Sequence, residues 1–126
     1  MTRKDFVFLN VAFSLKRHSV ASDGSIDQRA RELILAYSKT QLEFFKTEGL
    51  LKKDARAWNL PIEIALIMYS DFTDEGQKFI MTAATDKWLQ SCDKKGDLAS
   101  YQDPTGLIKR LKKFRETAKQ DKRPVS

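Results

Sequence analysis

The sequence predicts an α+β fold, mainly helical, formed as a single domain with a small antiparallel β-hairpin or sheet. Three observations predict it. Apolar residues recur at helical spacing over residues 26–48 without a Gly or Pro, "IEIALIMYSDF" alternates like a strand, and helical spacing resumes in the C-terminal third. At 126 residues the chain suits one core rather than two, because domains cluster at about 100–150 residues. A globular division is expected over residues 1–117, followed by a basic flexible tail over 118–126.

Residues 4–16 are apolar on nearly every side, which predicts a first helix surrounded by other material. Two positive charges precede this run. No small-residue cleavage site follows it, and Lys16, Arg17 and His18 interrupt it, so a buried helix is expected rather than a leader or a span. After the Asp23-Gly24 turn, Ser25 and Gln28 have capping-box spacing, and a helix is expected from Ile26. Its apolar positions (26, 30, 33, 34, 37, 44 and 45) predict one rod about 34 Å long, closed by Gly49.

The next two segments predict a two-stranded ribbon. "LLKKDARAWNLP" is expected to pair antiparallel with "IEIALIMYSDF", turning through Trp58, Asn59 and Pro61. Ile62, Ile64, Leu66 and Met68 then share one face and Ala65, Ile67 and Tyr69 the other. Thr73 is placed to cap a further helix, with Asp74 and Glu75 in its first turn and Gly76 allowing close approach to the strands. The quartet Thr73 to Gly76 therefore reads as a joint; a site on Asp74 and Glu75 is the alternative. Phe79, Ile80, Ala83, Ala84 and Trp88 continue as one helical stripe, "SCDKKGDLASYQDP" reads as a loop, and "TGLIKRLKKFRETAK" as an amphipathic helix with Leu107, Ile108, Leu111 and Phe114 on one face.

Charge is distributed unevenly. Residues 94–126 hold ten Lys or Arg against four acids, while residues 1–93 hold 13 of each, so the whole net charge of +6 sits at the C-terminal end. A neutral body weakens any inference from overall charge to nucleic acid. The basic C-terminal helix (Lys109, Arg110, Lys112, Lys113) has three readings: a solvated face, a surface for nucleic acid or an acidic partner, or a membrane-surface helix with too small an apolar face to anchor alone.

Catalytic constellations are missing from the sequence. His18 is the single histidine, which excludes a multi-histidine metal site, and its expected place is the end of the first helix. Cys92, the single cysteine, rules out an internal disulfide, fits a reducing cytoplasm and reads as a packing residue one turn after Trp88. The five glycines are isolated, so no phosphate loop exists. No cofactor or metal is expected. Phe6, Phe8, Phe13, Tyr37, Phe44, Phe45, Phe72, Phe79 and Trp88 lie on apolar stripes and are expected in the core. Trp58 lies between "KKDARA" and "NLP", where it is either an exposed interface anchor or folded over the core.

Two resemblances arise from these segments. "LEFFKTEGLL", the strand-like stretch and "FTDEGQKFI" (residues 42–89) resemble the second half of winged-helix proteins, which implies a hairpin wing carrying Lys52, Lys53 and Arg56 toward phosphates and a DNA-binding regulator. "ARELILAYSKTQLEFFKTEG", however, has no turn ahead of a reading helix, which a helix-turn-helix requires. As a whole, with phrases such as "LNVAFSLKRH" and "TDKWLQSCDKK", the chain resembles small proteobacterial proteins that accompany toxin domains as immunity proteins. That resemblance implies a non-enzymatic protein that binds and neutralises a cognate toxin. Capture is expected through Lys52, Lys53, Arg56 and Trp58 and through Lys109, Arg110, Lys112 and Lys113.

Overall fold

The computed structural model describes residues 5–121. It opens with a strand, β1 (Val7–Asn10), and only then a helix, α1 (Val11–Ser19). The helix expected over residues 4–16 is corrected on this point, and Lys4 lies outside the described residues. Asn10 explains the late start. Its backbone is extended and its side-chain oxygen accepts the Phe13 N–H at 3.1 Å, so the first turn begins beyond it. Upstream, β1 pairs antiparallel with β2 (Leu66–Met68), through Val7↔Met68, Leu9↔Ile67 and Asn10↔Leu66, with an irregularity between Val7 and Leu9. Nor is α1 surrounded. Val11, Leu15 and Ser19 are buried, but Phe13 is 57% exposed and Phe6 is 41% exposed. Both aromatics leave the predicted core.

The helix α2 (Gln28–Thr47) is one uninterrupted element about 30 Å long. Its cap is Asp27, which accepts the Ala30 N–H at 3.0 Å. Ser25 is unavailable for the expected capping box, because its N–H and hydroxyl both donate to Asp23 Oδ1. At the other end the backbone closes as a Schellman motif: Gly49, at φ 70°, donates to the Lys46 carbonyl and Leu50 donates to the Phe45 carbonyl. Leu50 and Phe45 are both fully buried, which supplies the apolar contact that accompanies this closure.

Ser38 lies in the buried face of α2, and its hydroxyl has no hydrogen-bond partner among the described residues. An unsatisfied buried hydroxyl costs free energy that a methyl group does not. Ser38→Ala is therefore expected to leave stability unchanged or raise it by up to about 1 kcal/mol, read as the urea midpoint. A clear loss of stability would show that the hydroxyl has a partner in solution.

Residues 51–65 do not form the expected ribbon. Arg56–Trp58 and Ile62–Ile64 are each a turn of 3-10 helix, and the pairing of this segment with the next shrinks to one bridge, Leu51↔Phe72. Consequently Ile64 is exposed rather than on a packed strand face, and no wing is formed.

The quartet is a joint. Thr73 Oγ1 accepts the Gly76 N–H, starting α3 (Asp74–Ile80), and Glu75 is bound by Arg115 of the C-terminal helix α6 (Thr105–Asp121). Arg115 also donates to the Glu48 carboxylate at 3.1 Å and to the Glu48 carbonyl at 3.0 Å. One guanidinium thus fastens α6 to the end of α2 and the start of α3, and these carboxylates raise its already high pKa.

The stripe after Gly76 is not one helix. It breaks between α3 and α4 (Ala84–Lys95) at Ala83, which adopts φ 64°. Left-handed backbone costs a non-glycine residue about 1–2 kcal/mol. Ala83→Gly is therefore expected to stabilise the fold by about 1 kcal/mol in chemical denaturation, after allowance for glycine's greater freedom in the unfolded chain. The predicted loop is likewise mostly helical. α4 runs to Lys95, and a short α5 (Leu98–Tyr101) follows, capped by Asp97. The helix α6 extends over the first part of the expected tail, whose residues 122–126 lie outside the described residues.

An aromatic chain joins these elements. Phe8, Phe45 and Phe72 form a triangle with ring centroids 4.9–5.6 Å apart. Phe44 meets Phe45 and Phe79, and Phe79 meets Phe114 on α6 at 5.5 Å. The core therefore runs continuously from the sheet through α2 to the helix that carries most of the excess charge.

Candidate protein-binding groove

The helices α4 and α6 pack through Trp88, Leu107 and Leu111, all buried. Trp88 donates its indole N–H to the Asp103 carbonyl at 3.3 Å, which holds the entry to α6 against α4. On α6, positions 110, 113, 114 and 117 follow the i, i+3, i+4, i+7 spacing of one face. This face flanks α4, and with Thr82, Ala84 and Lys87 it walls a groove of about 490 Å³.

Three cations, Lys87, Arg110 and Lys113, line this groove with Thr82, Ala84, Phe114 and Thr117, and among the described residues no carboxylate does. Among the described residues none of the three cations forms an ion pair. Arg110 donates one N–H to the Gly106 carbonyl at 3.2 Å, which orients the guanidinium and leaves its other donors available. Like charges gathered on one wall repel one another, and an anionic ligand relieves that repulsion. Phe114 adds a half-buried aromatic surface.

The groove between α2 and α6 differs in kind. It encloses about 410 Å³, lined by Ala36, Phe44, Pro104 and Ile108 together with Lys39, Glu43 and Glu48. Its charges are mixed, and Glu48 already serves Arg115.

The predicted binding residues are divided among separate places. Arg110 and Lys113 enter the α4–α6 groove. Lys112 lies on another flank of α6 with Arg115, Glu116 and Lys119. Lys109 lines a polar hollow with Lys95, Ser91, Cys92 and Asp103. Lys52, Lys53 and Arg56 are exposed around the 3-10 turn and line no part of the groove.

Trp58 folds back, which decides between its two readings. Its indole N–H donates to the Lys52 carbonyl at 2.7 Å, its ring packs on the core, and the Lys46 ammonium lies 5.1 Å from the ring centroid. Sequence reasoning missed Lys87, Thr82, Phe114 and Thr117 as site residues. The spacing along α6 was available as a signal for Phe114 and Thr117; nothing local tied Lys87 to them.

The remaining reactive groups lie outside this groove. Burial pushes the Cys92 thiol up, so it stays protonated, and it donates to the Ser100 carbonyl at 3.3 Å. Burial, reinforced by donation to Asp93 Oδ1 at 2.5 Å, pushes Tyr101 up to about 12. His18 is exposed in the last turn of α1, where a cation favours the helix dipole. Among the described residues no group of three or more His, Cys, Asp or Glu could hold a metal ion, and no helix is long and apolar enough to cross a membrane.

No family model matches this chain, and no curated protein or solved structure does. The two resemblances rest on the residues quoted for them.

Proposed function

We propose that this chain is a non-catalytic protein-binding module, and within that class a cytoplasmic immunity protein that captures and neutralises a cognate toxin domain. The observation that carries the reading is the α4–α6 groove, where Lys87, Arg110 and Lys113 present one sign of charge and no described lining residue is a carboxylate. Charge complementarity of this kind steers association and excludes wrong partners. The groove walls belong to helices locked to the body by Trp88 and Arg115, so little ordering remains to be done on binding.

The test is co-expression with the product of an adjacent open reading frame. The expected result is restored growth and a one-to-one complex on size-exclusion chromatography. Failure to protect against that product, with both chains folded, would remove the immunity reading for that partner. The same preparation mixed with random duplex DNA is expected to show no complex at physiological salt. A duplex complex whose affinity falls steeply with salt would favour the DNA-binding regulator instead.

A further inference from the structure

From the groove's walls we infer that its occupant is an acidic segment of a partner protein that also carries a bulky apolar side chain. This inference rests on the reading of the chain as a protein-binding module. Its acidic half follows from Lys87, Arg110 and Lys113, whose charge no carboxylate among the described lining residues offsets. Its apolar half follows from Phe114 and Ala84 in the same lining.

The placement of the other basic residues disfavours a nucleic-acid strand. A strand brings phosphates at regular intervals and needs a continuous basic track. Here Lys109 and Lys112 lie on other flanks of α6, and Lys52, Lys53 and Arg56 lie outside the groove. Three clustered cations around an apolar patch instead match a short segment with two or three carboxylates spaced around one Leu or Phe. Side chains of that kind enter together when a helix or extended peptide docks in a groove.

The test is fluorescence anisotropy of a dye-labelled, Glu-rich peptide with one central Phe, titrated with the full chain at low and at physiological salt. Wild type is expected to bind. Lys87→Glu/Lys113→Glu is expected to weaken binding by on the order of tenfold or more. Both lysines are exposed, so the fold should be kept, and far-UV circular dichroism checks that. Lys52→Glu/Lys53→Glu changes net charge by the same amount and is expected to leave the affinity within about twofold, as sites that share no contact act independently.

Replacing the peptide's Phe by Gly should weaken wild-type binding by about tenfold, the ratio expected for losing a large apolar contact. Arg110→Gln, which keeps a donor toward Gly106, gives a second reading should the double variant unfold, and a loss of affinity is expected there also. Equal losses from the two double reversals would overturn the inference, because charge alone would then suffice. So would no binding by wild type, or displacement of the peptide by single-stranded DNA at a lower concentration than by unlabelled peptide. Protection by co-expression reads the immunity role separately: a groove that binds the peptide without protecting leaves the inference standing and removes the toxin. Protection unaffected by Lys87→Glu/Lys113→Glu removes the groove and leaves the toxin.

Discussion

Gly76→Ala is expected to destabilise the fold by about 3 kcal/mol, at the upper end of overpacking costs, although the same change in an ordinary helix stabilises it by about 0.5–1 kcal/mol. The sign reverses because of Leu50. A Cβ built on Gly76 would lie 2.3 Å from the Leu50 carbonyl oxygen and 3.1 Å from Phe72 Cβ and Cδ1. That oxygen cannot retreat freely, since it accepts the Thr73 N–H at 2.9 Å and the Thr73 hydroxyl at 3.2 Å. Leu50 is itself fixed by the closure of α2, so the strain would pass into the end of the long helix. Urea unfolding measures the effect. Thr73→Ala serves as the comparison, with a cost of about 1 kcal/mol for the lost cap. A stable Gly76→Ala would mean that α3 does not press against the Leu50 carbonyl.

Phe45→Ala is expected to cost about 3–5 kcal/mol, a large share of the roughly 5–15 kcal/mol that stabilises a small domain. Phe45 is fully buried and touches three rings: Phe8 at 5.6 Å, Phe72 at 4.9 Å and Phe44 at 5.6 Å. Its removal would leave a cavity bounded by strand, helix and loop together. Phe45→Leu keeps most of the volume but loses the edge-on ring contacts, and is expected to cost less than half as much. The ratio of the two midpoint shifts separates cavity formation from aromatic pairing. Equal costs would mean that ring geometry, rather than volume, dominates at this position.

Where chemistry is local, the sequence was legible. Residues 26–48 contain no Gly or Pro, and the structure has an uninterrupted α2 closed at Gly49. Thr73 caps α3 as its place ahead of Asp74 and Glu75 implied, and Leu107 and Leu111 face inward from α6. The antiparallel sheet exists, but its strands come from opposite halves of the chain. Asn10, a capping residue inside an apolar run, was the available sign that a strand hands over to a helix there. Ala83 gave no such sign, because alanine is a strong helix former and its residue type does not favour the positive φ it adopts. Trp58 was ambiguous for a related reason: its partner is the backbone carbonyl of Lys52, which composition does not mark.

The predicted binding residues divide along the same line. Arg110 and Lys113 stood out within a basic helix. Lys87 joins them only because α4 lies beside that face of α6, and Lys109 and Lys112 are turned away by the same helical geometry. A run of basic residues read along the sequence therefore overstates the surface that lies together, and omits the member supplied by the neighbouring helix.

The groove itself is open to one direct measurement: amide chemical-shift mapping of the full chain during titration with the acidic, Phe-containing peptide. The expected result is saturable shifts centred on Thr82, Ala84, Lys87, Arg110, Lys113, Phe114 and Thr117, with Lys52 through Trp58 unmoved. Shifts centred on that 3-10 turn, or spread over every basic segment without saturation, would contradict the assignment of the α4–α6 groove as the binding surface.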